Sequence, residues 1–451
     1  MHWPVETTQY TATRQPSSFK QIFQVKTTLV PPTTDTVPPT TADTVPPTTY
    51  TVHGTTTGSG CLIRRECLVG GEKSVWRVRI EGVQMAYTPG DSVLLRVSNE
   101  KKASERILRQ LGCLSGAYLQ FERVHIKTGR CVFSFQGRLG DYIEHFLDIT
   151  SLPSKYCLYR LSLCAGEGRR DALEYLSSRE GSRDYFSLNK NWNTLADIIE
   201  EFQVSLKLED LLELSTEIKP RAFSLIQSPS QDIEFICGLI TKNNGESERK
   251  GHFSTFISQV TDKQQAWVVQ SGNPQPSTAQ PAPQCPSTTT QPTTQPSTAL
   301  VYGVVLKPNK LMQMRASDSL LIATGTGVAP FVSFLRHRSQ NRLVLFYGCR
   351  AEEESILHGL GMVSGPGSEC VYRGAREYVL DERTAIYIVY SRTNLSIHIN
   401  TFLKINEERV AFLLETLQSV FICGKREVQK SLSEHFAQAH PQMPLYIDDW
   451  S

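Results

Sequence analysis

Three short stretches of the chain carry residue types able to hold and use a nucleotide. Leu320 to Leu335 reads LLIATGTGVAPFVSFL, with Gly325 and Gly327 flanking Thr326. Glycine lets backbone approach a pyrophosphate closely, the threonine brings a hydroxyl, and Pro330 suits the first turn of a following helix. The same residues serve equally well as a tight link between a strand and a helix, and they do not form GxGxxG. Ser391 and Arg392 close the run IYIVYSR, placing a hydroxyl and a guanidinium where an adenosine 2′-phosphate can lie, because arginine holds phosphate bidentately. Cys423 in FICGK follows an apolar run and precedes a glycine; a lone cysteine there is more often core than reactive.

All of these stretches follow predicted strands. From about residue 300 the chain alternates short apolar runs (LLIATG, LVLFYGCR, AIYIVYS, SVFICG) with amphipathic ones (APFVSFLRHR, INTFLKINEERVAFLLETLQ, REVQKSLSEHFAQ). That alternation predicts a parallel sheet covered by helices, an α/β domain over 300–451. Ligands of such sheets sit at the carboxyl ends of the strands, so TGTG, YGCR, YSR and CGK are expected to gather on one edge.

The preceding half reads differently. SVWRVRIEG alternates apolar and polar residues, and YTPGDSVLLRVSN adds a Pro-Gly turn into another strand, as in an antiparallel barrel or sandwich. From about 101 to 214 the spacing becomes helical, and RAFSLIQS and IEFICGLITK then return to strand, so the helical block is expected to be an insertion within a β domain over 69–270. VPPTT occurs three times between Val30 and Thr49, and a second Pro/Thr/Gln-rich tract runs from Pro274 to Thr298. Residues 1–68 and 271–299 are expected to be low-complexity, extended and disordered.

Forty-seven basic and 45 acidic side chains leave a formal charge of +2 without a basic run, which gives no nucleic-acid footprint. No apolar stretch of about 18 residues predicts a membrane span, and no signal-peptide pattern opens the chain. The eleven cysteines form no CxxC pair. Reduced thiols in a cytoplasmic protein without a metal site are expected.

In their order and spacing, YTPGD, HFLDITSLPS, KPRAFSLIQS, KGHFSTFI, IATGTGVAPFVSFLRHR, LVLFYGCR, YIVYSR, VFICGK and YIDDWS resemble the FAD- and NADPH-binding modules of the diflavin reductases. This group includes cytochrome P450 reductase, methionine synthase reductase and NADPH-dependent diflavin oxidoreductase. The resemblance runs from about Val69 to the last residue, apart from the second tract. It implies a ferredoxin reductase-like pair of domains, with a flavin-bearing antiparallel β-barrel ahead of the nucleotide domain.

It also implies roles for individual residues. Arg221, Ala222, Phe223 and Ser224 stand where the family holds FAD: arginine on the pyrophosphate, the aromatic ring against the isoalloxazine and the hydroxyl near flavin N5. Gly251, His252, Phe253 and Ser254 match the second FAD loop, whose donors and hydroxyl contact the phosphates. Gly325, Thr326 and Gly327 are implied to hold the NADPH pyrophosphate, and Ser391 and Arg392 its 2′-phosphate. Ser224, Cys423 and Asp448 are implied to surround the hydride path, with Trp450 covering the flavin. The implied activity is hydride transfer from NADPH to FAD, followed by one-electron transfer to an FMN, iron–sulfur or haem protein.

Within the family, IKPRAFS favours the diflavin oxidoreductase branch that serves cytosolic iron–sulfur assembly. DDWS and HFLDITSLPS lean towards the P450 and methionine synthase reductases. The family's FMN domain, which needs about 150 residues, is expected to be absent, since only residues 1–68 precede the match. Phe223 replaces a tyrosine, and Thr324 stands where proline is commoner. Ser396, His398 and Asn400 replace the Lys-x-Tyr-x-Gln stretch that completes the family's 2′-phosphate site. A nucleotide-binding scaffold without catalysis is the rival reading from another class.

Overall fold

The computed structural model describes residues 23–30, 56–71, 73–112, 117–190, 193–214, 216–226, 232–243, 248–260, 264–271, 299–337, 340–392 and 397–448. Residues 31–49 and 274–298, which carry the two Pro/Thr tracts and the disorder expected of them, lie outside the described residues.

The first half is built on a seven-stranded sheet. Its order is Arg221–Ser224, Ser92–Val97, Ala299–Lys307, Gln264–Ser271, Thr56–Val69, Val75–Gln84, Asp232–Gly238. Neighbours are antiparallel except Gln264–Ser271 against Ala299–Lys307, which run parallel. The two edge strands meet at a single bridge, Leu225 opposite Phe235. The expected antiparallel arrangement is corrected at one pair, Gln264–Ser271 with Ala299–Lys307, and the ends of this mixed sheet touch without a ladder between them. The parallel pair has a topological cause: it flanks 272–298, and parallel neighbours require a long crossover rather than a tight turn.

Two further expectations change. Thr56–Val69 is a strand of that sheet and Phe23–Val30 a strand of another, so residues 1–68 are not uniformly low-complexity linker. The small polar residues of TTGSGC do not stop it, because a ladder is made by backbone groups. Among its described residues the block 101–214 holds seven helices, but between the first two it also holds a hairpin, Tyr118–His125 with Cys131–Arg138. Phe23–Val30 completes a three-stranded sheet there. Leu119 and Phe121 alternate inward from this hairpin, and Phe121 meets Tyr142 edge-on at 5.0 Å. A capping box at Thr194 and Asp197 starts the helix Leu195–Glu201, as the threonine hydroxyl and the Asp197 carboxylate exchange bonds with each other's backbone.

The second half is another seven-stranded sheet. Its order is Ser368–Glu369, Arg376–Asp381, Thr384–Tyr390, Leu343–Cys349, Ser319–Thr324, Ser419–Cys423, Leu445–Ile447. The last five strands are parallel, and the first two are added antiparallel at the edge. From Ser319–Thr324 the chain builds outward to one side, then returns to lay Ser419–Cys423 on the other. The order therefore reverses between those two strands, which marks the crevice where such sheets take ligands. The apolar residues of both strands are buried, which is why they read as continuous apolar runs.

The halves share one core. Val69, Val75, Ile226 and Ile236 cluster with Leu321, Phe331, Phe334 and Cys423 across the boundary. Beside it the buried Glu234 receives Arg77 at 2.7 Å, Arg79 at 3.1 Å and Arg336 at 3.0 Å, the last from the opposite half. Burial pushes the Glu234 carboxyl up, but the bonds from Arg77 and Arg336 outweigh it and hold it below the usual range. No helix among the described residues is long and apolar enough to cross a membrane.

Candidate functional site

The crevice between Ser319–Thr324 and Ser419–Cys423 is made by two loops in close contact. Gly325 adopts φ +55°, a conformation that side-chain-bearing residues rarely take, and starts a short 3₁₀ turn leading into the helix Ala329–His337. Gly327 is glycine for a different reason. A Cβ there would lie 2.6 Å from the Cys423 carbonyl oxygen and 2.7 Å from Gly424 Cα. Thr326 turns its methyl towards Gly238 of the first half, so the TGTG turn stands between the two domains.

Cys423 ends its strand 1% exposed, and its Sγ donates to Asp448 Oδ2 at 3.7 Å. The other oxygen of Asp448 accepts from Asn309 Nδ2 at 2.9 Å. The Asn309 backbone N–H donates to Asp91 Oδ1 at 3.0 Å, while Asp91 Oδ2 accepts from Thr88 N at 2.9 Å. Asp91 closes the YTPGD turn, where Gly90 N donates to Ser333 Oγ of the second half at 3.2 Å. Leu225 N then donates to the Asp91 carbonyl at 3.0 Å, and Ser224 pairs with Ser92 in register. One hydrogen-bonded path thus runs from the RAFS strand to Cys423. Ser224 Oγ is buried without a hydrogen-bond partner among the described residues.

The remaining first-half residues lie along the same strands. Arg221 begins its strand exposed, with Ala222 half-buried after it. Phe223 stacks on Phe235 at 4.7 Å and meets Phe253 at 4.4 Å, so its ring is already part of an aromatic cluster. Gly251 precedes the helix His252–Gln259, whose first turn opens backbone N–H groups to an anion. The Ser254 hydroxyl, expected on phosphate, accepts from Ile240 N at 2.9 Å. His252 Nε2 lies 3.0 Å from the Ser98 carbonyl oxygen, and burial lowers its pKa. Ser98 Oγ bonds His145 at 2.9 Å, whose pKa burial takes down to about 4.

At the neighbouring strand ends, Ser391 N and Arg392 N donate to the carbonyls of Cys349 and Arg350 at 2.9 and 2.8 Å, so YSR and YGCR are side by side. Arg392 pairs with Glu354 Oε1 at 3.4 Å and Arg350 with Glu354 Oε2 at 3.5 Å. Two guanidiniums therefore share one carboxylate beside the implied phosphate site. His398 is exposed just ahead of the helix Ile399–Ile405, and Asn400 Oδ1 is buried without a partner among the described residues. Trp450, implied to cover the flavin, and Ser396 lie outside the described residues.

Sequence reasoning missed Asn309 and Arg350. Asn309 sits in the polar stretch KPNK and carries no motif; only the fold brings it to Asp448. Arg350 was in view as the last residue of YGCR, and its signal was its place one strand over from Arg392. Eight cysteines among the described residues are free thiols, and burial pushes those of Cys237 and Cys349 up to about 12.

A family model described as "FAD binding domain" matches residues 72–256, and one described as "Oxidoreductase NAD-binding domain" matches 321–359. The chain is 25% identical over 311 residues to NADPH-dependent diflavin oxidoreductase 1 of Debaryomyces hansenii, covering 64% of this chain and 46% of that one. It is 24% identical over 389 residues to methionine synthase reductase of Rattus norvegicus, covering 76% and 50%. To NADPH–cytochrome P450 reductase of Homo sapiens it is 22% identical over 401 residues, covering 82% and 53%. The chain thus spans about half the length of the curated relatives it matches.

Proposed function

We propose that the chain is a diflavin reductase by descent and performs that family's entry step, moving electrons from NADPH through FAD to a protein acceptor. The observation that carries this reading is the hydrogen-bonded path joining the RAFS strand to the Cys423–Asp448 pair at the sheet's switch point. It supports a nicotinamide edge and a flavin edge facing one another across the two halves.

The residues fit both cofactors. Ser224 Oγ is a buried hydroxyl lacking a partner among the described residues, and the His252–Gln259 helix starts beside the RAFS strand's aromatic cluster. When bound, NADPH supplies the hydride and FAD the chemistry that divides an electron pair into single electrons. Arg221 offers its guanidinium to the flavin diphosphate, together with the N–H groups of His252 to Ser254 at the start of the helix. Phe223, backed by Phe235 and Phe253, gives that pocket an aromatic wall. Gly325, Thr326 and Gly327 line the nucleotide pyrophosphate, and Ser391, Arg392 and Arg350 take the 2′-phosphate. Ser224 and Cys423 orient the nicotinamide, Asp448 balances the positive charge left on it, and Trp450 covers the flavin.

In the same reading the mixed first sheet serves as the flavin-bearing barrel, supported by the bridge between its edge strands. The acceptor is an FMN, iron–sulfur or haem protein in the cytoplasm, and the diflavin oxidoreductase branch is preferred on the IKPRAFS motif. The test is direct. Purified protein should be yellow, bleach with NADPH in the absence of oxygen, and reduce ferricyanide. A colourless protein that cannot take up FAD refutes the reading and leaves a nucleotide-binding scaffold.

A further inference from the structure

We propose that Asn309 is a positioning residue for hydride transfer, holding the Asp448 carboxylate in the orientation that faces Cys423. Its role presupposes the function proposed above. The torsion that sets the plane of an aspartate carboxylate is soft, so the plane is fixed by what the two oxygens bond. Asp448 is 8% exposed; Oδ1 takes Asn309 Nδ2 at 2.9 Å, and Oδ2 faces the Cys423 thiol at 3.7 Å. An amide donor suits the task. It aligns the carboxylate without cancelling its charge, which a lysine or arginine in its place would do.

Asn309 is itself located by the other half of the molecule. Its backbone N–H is bonded to Asp91, which is pinned by Thr88 N on one side and Gln313 Nε2, at 3.4 Å, on the other. The Asp91 carbonyl accepts Leu225 N, next to Ser224. Asn309 therefore refers Asp448, at the nicotinamide edge, to the same turn that fixes Ser224 at the flavin edge. Alignment of reacting groups is sensitive to shifts of an ångström, and one residue bonded to both edges limits that error.

The variant Asn309→Ala removes the amide but keeps the backbone N–H that holds Asp91. In the FAD-loaded full chain, the rate of flavin bleaching at saturating NADPH should fall about tenfold, the order expected for a hydrogen bond to a charged group. FAD content and the half-saturating NADPH concentration should stay unchanged. In an Asp448→Ala background the same substitution should have no further effect. A readout independent of cofactor is alkylation of Cys423 by iodoacetamide, followed by peptide mass spectrometry. Cys423 is 1% exposed, so the reagent reaches it through local opening of the crevice, and release of Asp448 should speed the reaction by about threefold or more. The near-isosteric Asn309→Asp, which turns a second carboxylate towards Asp448, should bleach more slowly still.

Bleaching within about twofold of the parent, full additivity with Asp448→Ala, or unchanged Cys423 alkylation overturns the assignment. Loss of FAD in step with the rate also overturns it, in favour of a purely structural role. A parent protein that takes up FAD but is not bleached by NADPH removes the proposed function, and this assignment with it. A parent that bleaches normally beside an equally fast Asn309→Ala removes the assignment alone.

Discussion

Replacing Arg392 with alanine removes one of two guanidiniums beside the implied 2′-phosphate site, and the size of the effect follows from its surroundings. A charge-assisted hydrogen bond contributes about 1.5–3 kcal/mol. The Arg392 side chain is 61% exposed and 3.4 Å from Glu354, so solvent screening and a competing carboxylate place it at the low end. About 1.5 kcal/mol corresponds to roughly tenfold weaker NADPH binding. NADH, which lacks the 2′-phosphate, should bind as before. Glu354→Gln acts in the opposite sense, because it frees both Arg350 and Arg392 from their shared counter-ion. NADPH affinity should then rise by about threefold at low salt, and the gain should shrink as ionic strength increases. Fluorescence or calorimetric titration with both nucleotides at two salt concentrations measures all of this. Equal losses for NADPH and NADH in Arg392→Ala refute the phosphate contact. Weaker NADPH binding in Glu354→Gln shows instead that the carboxylate is needed to hold the arginines in place.

Gly327→Ala forces a methyl against the backbone of Cys423 and Gly424, so it should cost about 1–3 kcal/mol of stability, measured by urea unfolding, and reduce nucleotide binding. An unchanged midpoint would mean that the two loops separate freely. Glu234→Gln should destabilise by about 2 kcal/mol at pH 7, below the 3–5 of a fully buried pair because its arginines are 22–40% exposed. The depressed Glu234 pKa contributes stability above the unfolded value of about 4.3, and that contribution is lost as pH falls through the lower folded value. The difference between parent and variant should therefore shrink in acid; a difference that grows below pH 4 contradicts the assignment. Thr194→Ala breaks the capping box and should cost about 1 kcal/mol with no change in FAD content.

The second half was legible because its parallel strands are covered on both faces. Ser319–Thr324, Leu343–Cys349 and Ser419–Cys423 appear in sequence as unbroken apolar runs, each followed by a glycine or an arginine at the crevice. The hairpin Tyr118–His125 with Cys131–Arg138 was hidden by the helical spacing around it, although Leu119 and Phe121 do alternate. Thr56–Val69 was obscured by its threonines, glycines and serine, whose composition suggests a loop while the backbone joins a ladder on both sides. Asn309 was invisible for a deeper reason. Its meaning depends on Asp91 and Asp448, which lie far away in sequence and on opposite halves of the molecule. The aromatic partners of Phe223 likewise come from strand and helix segments that local patterns do not pair.

The parallel pair Gln264–Ser271 and Ala299–Lys307 has a practical consequence. Each of these strands is also held antiparallel to another, Thr56–Val69 on one flank and Ser92–Val97 on the other. Their register is therefore set without help from the stretch that joins them. The entropy of closing a loop grows only slowly, about 0.6 kcal/mol for each doubling of its length. The joint between residues 271 and 299 is accordingly a natural port for cargo. A fluorescent protein or an affinity module grafted there should leave both sheets intact, turning the chain into a scaffold that can be labelled from within.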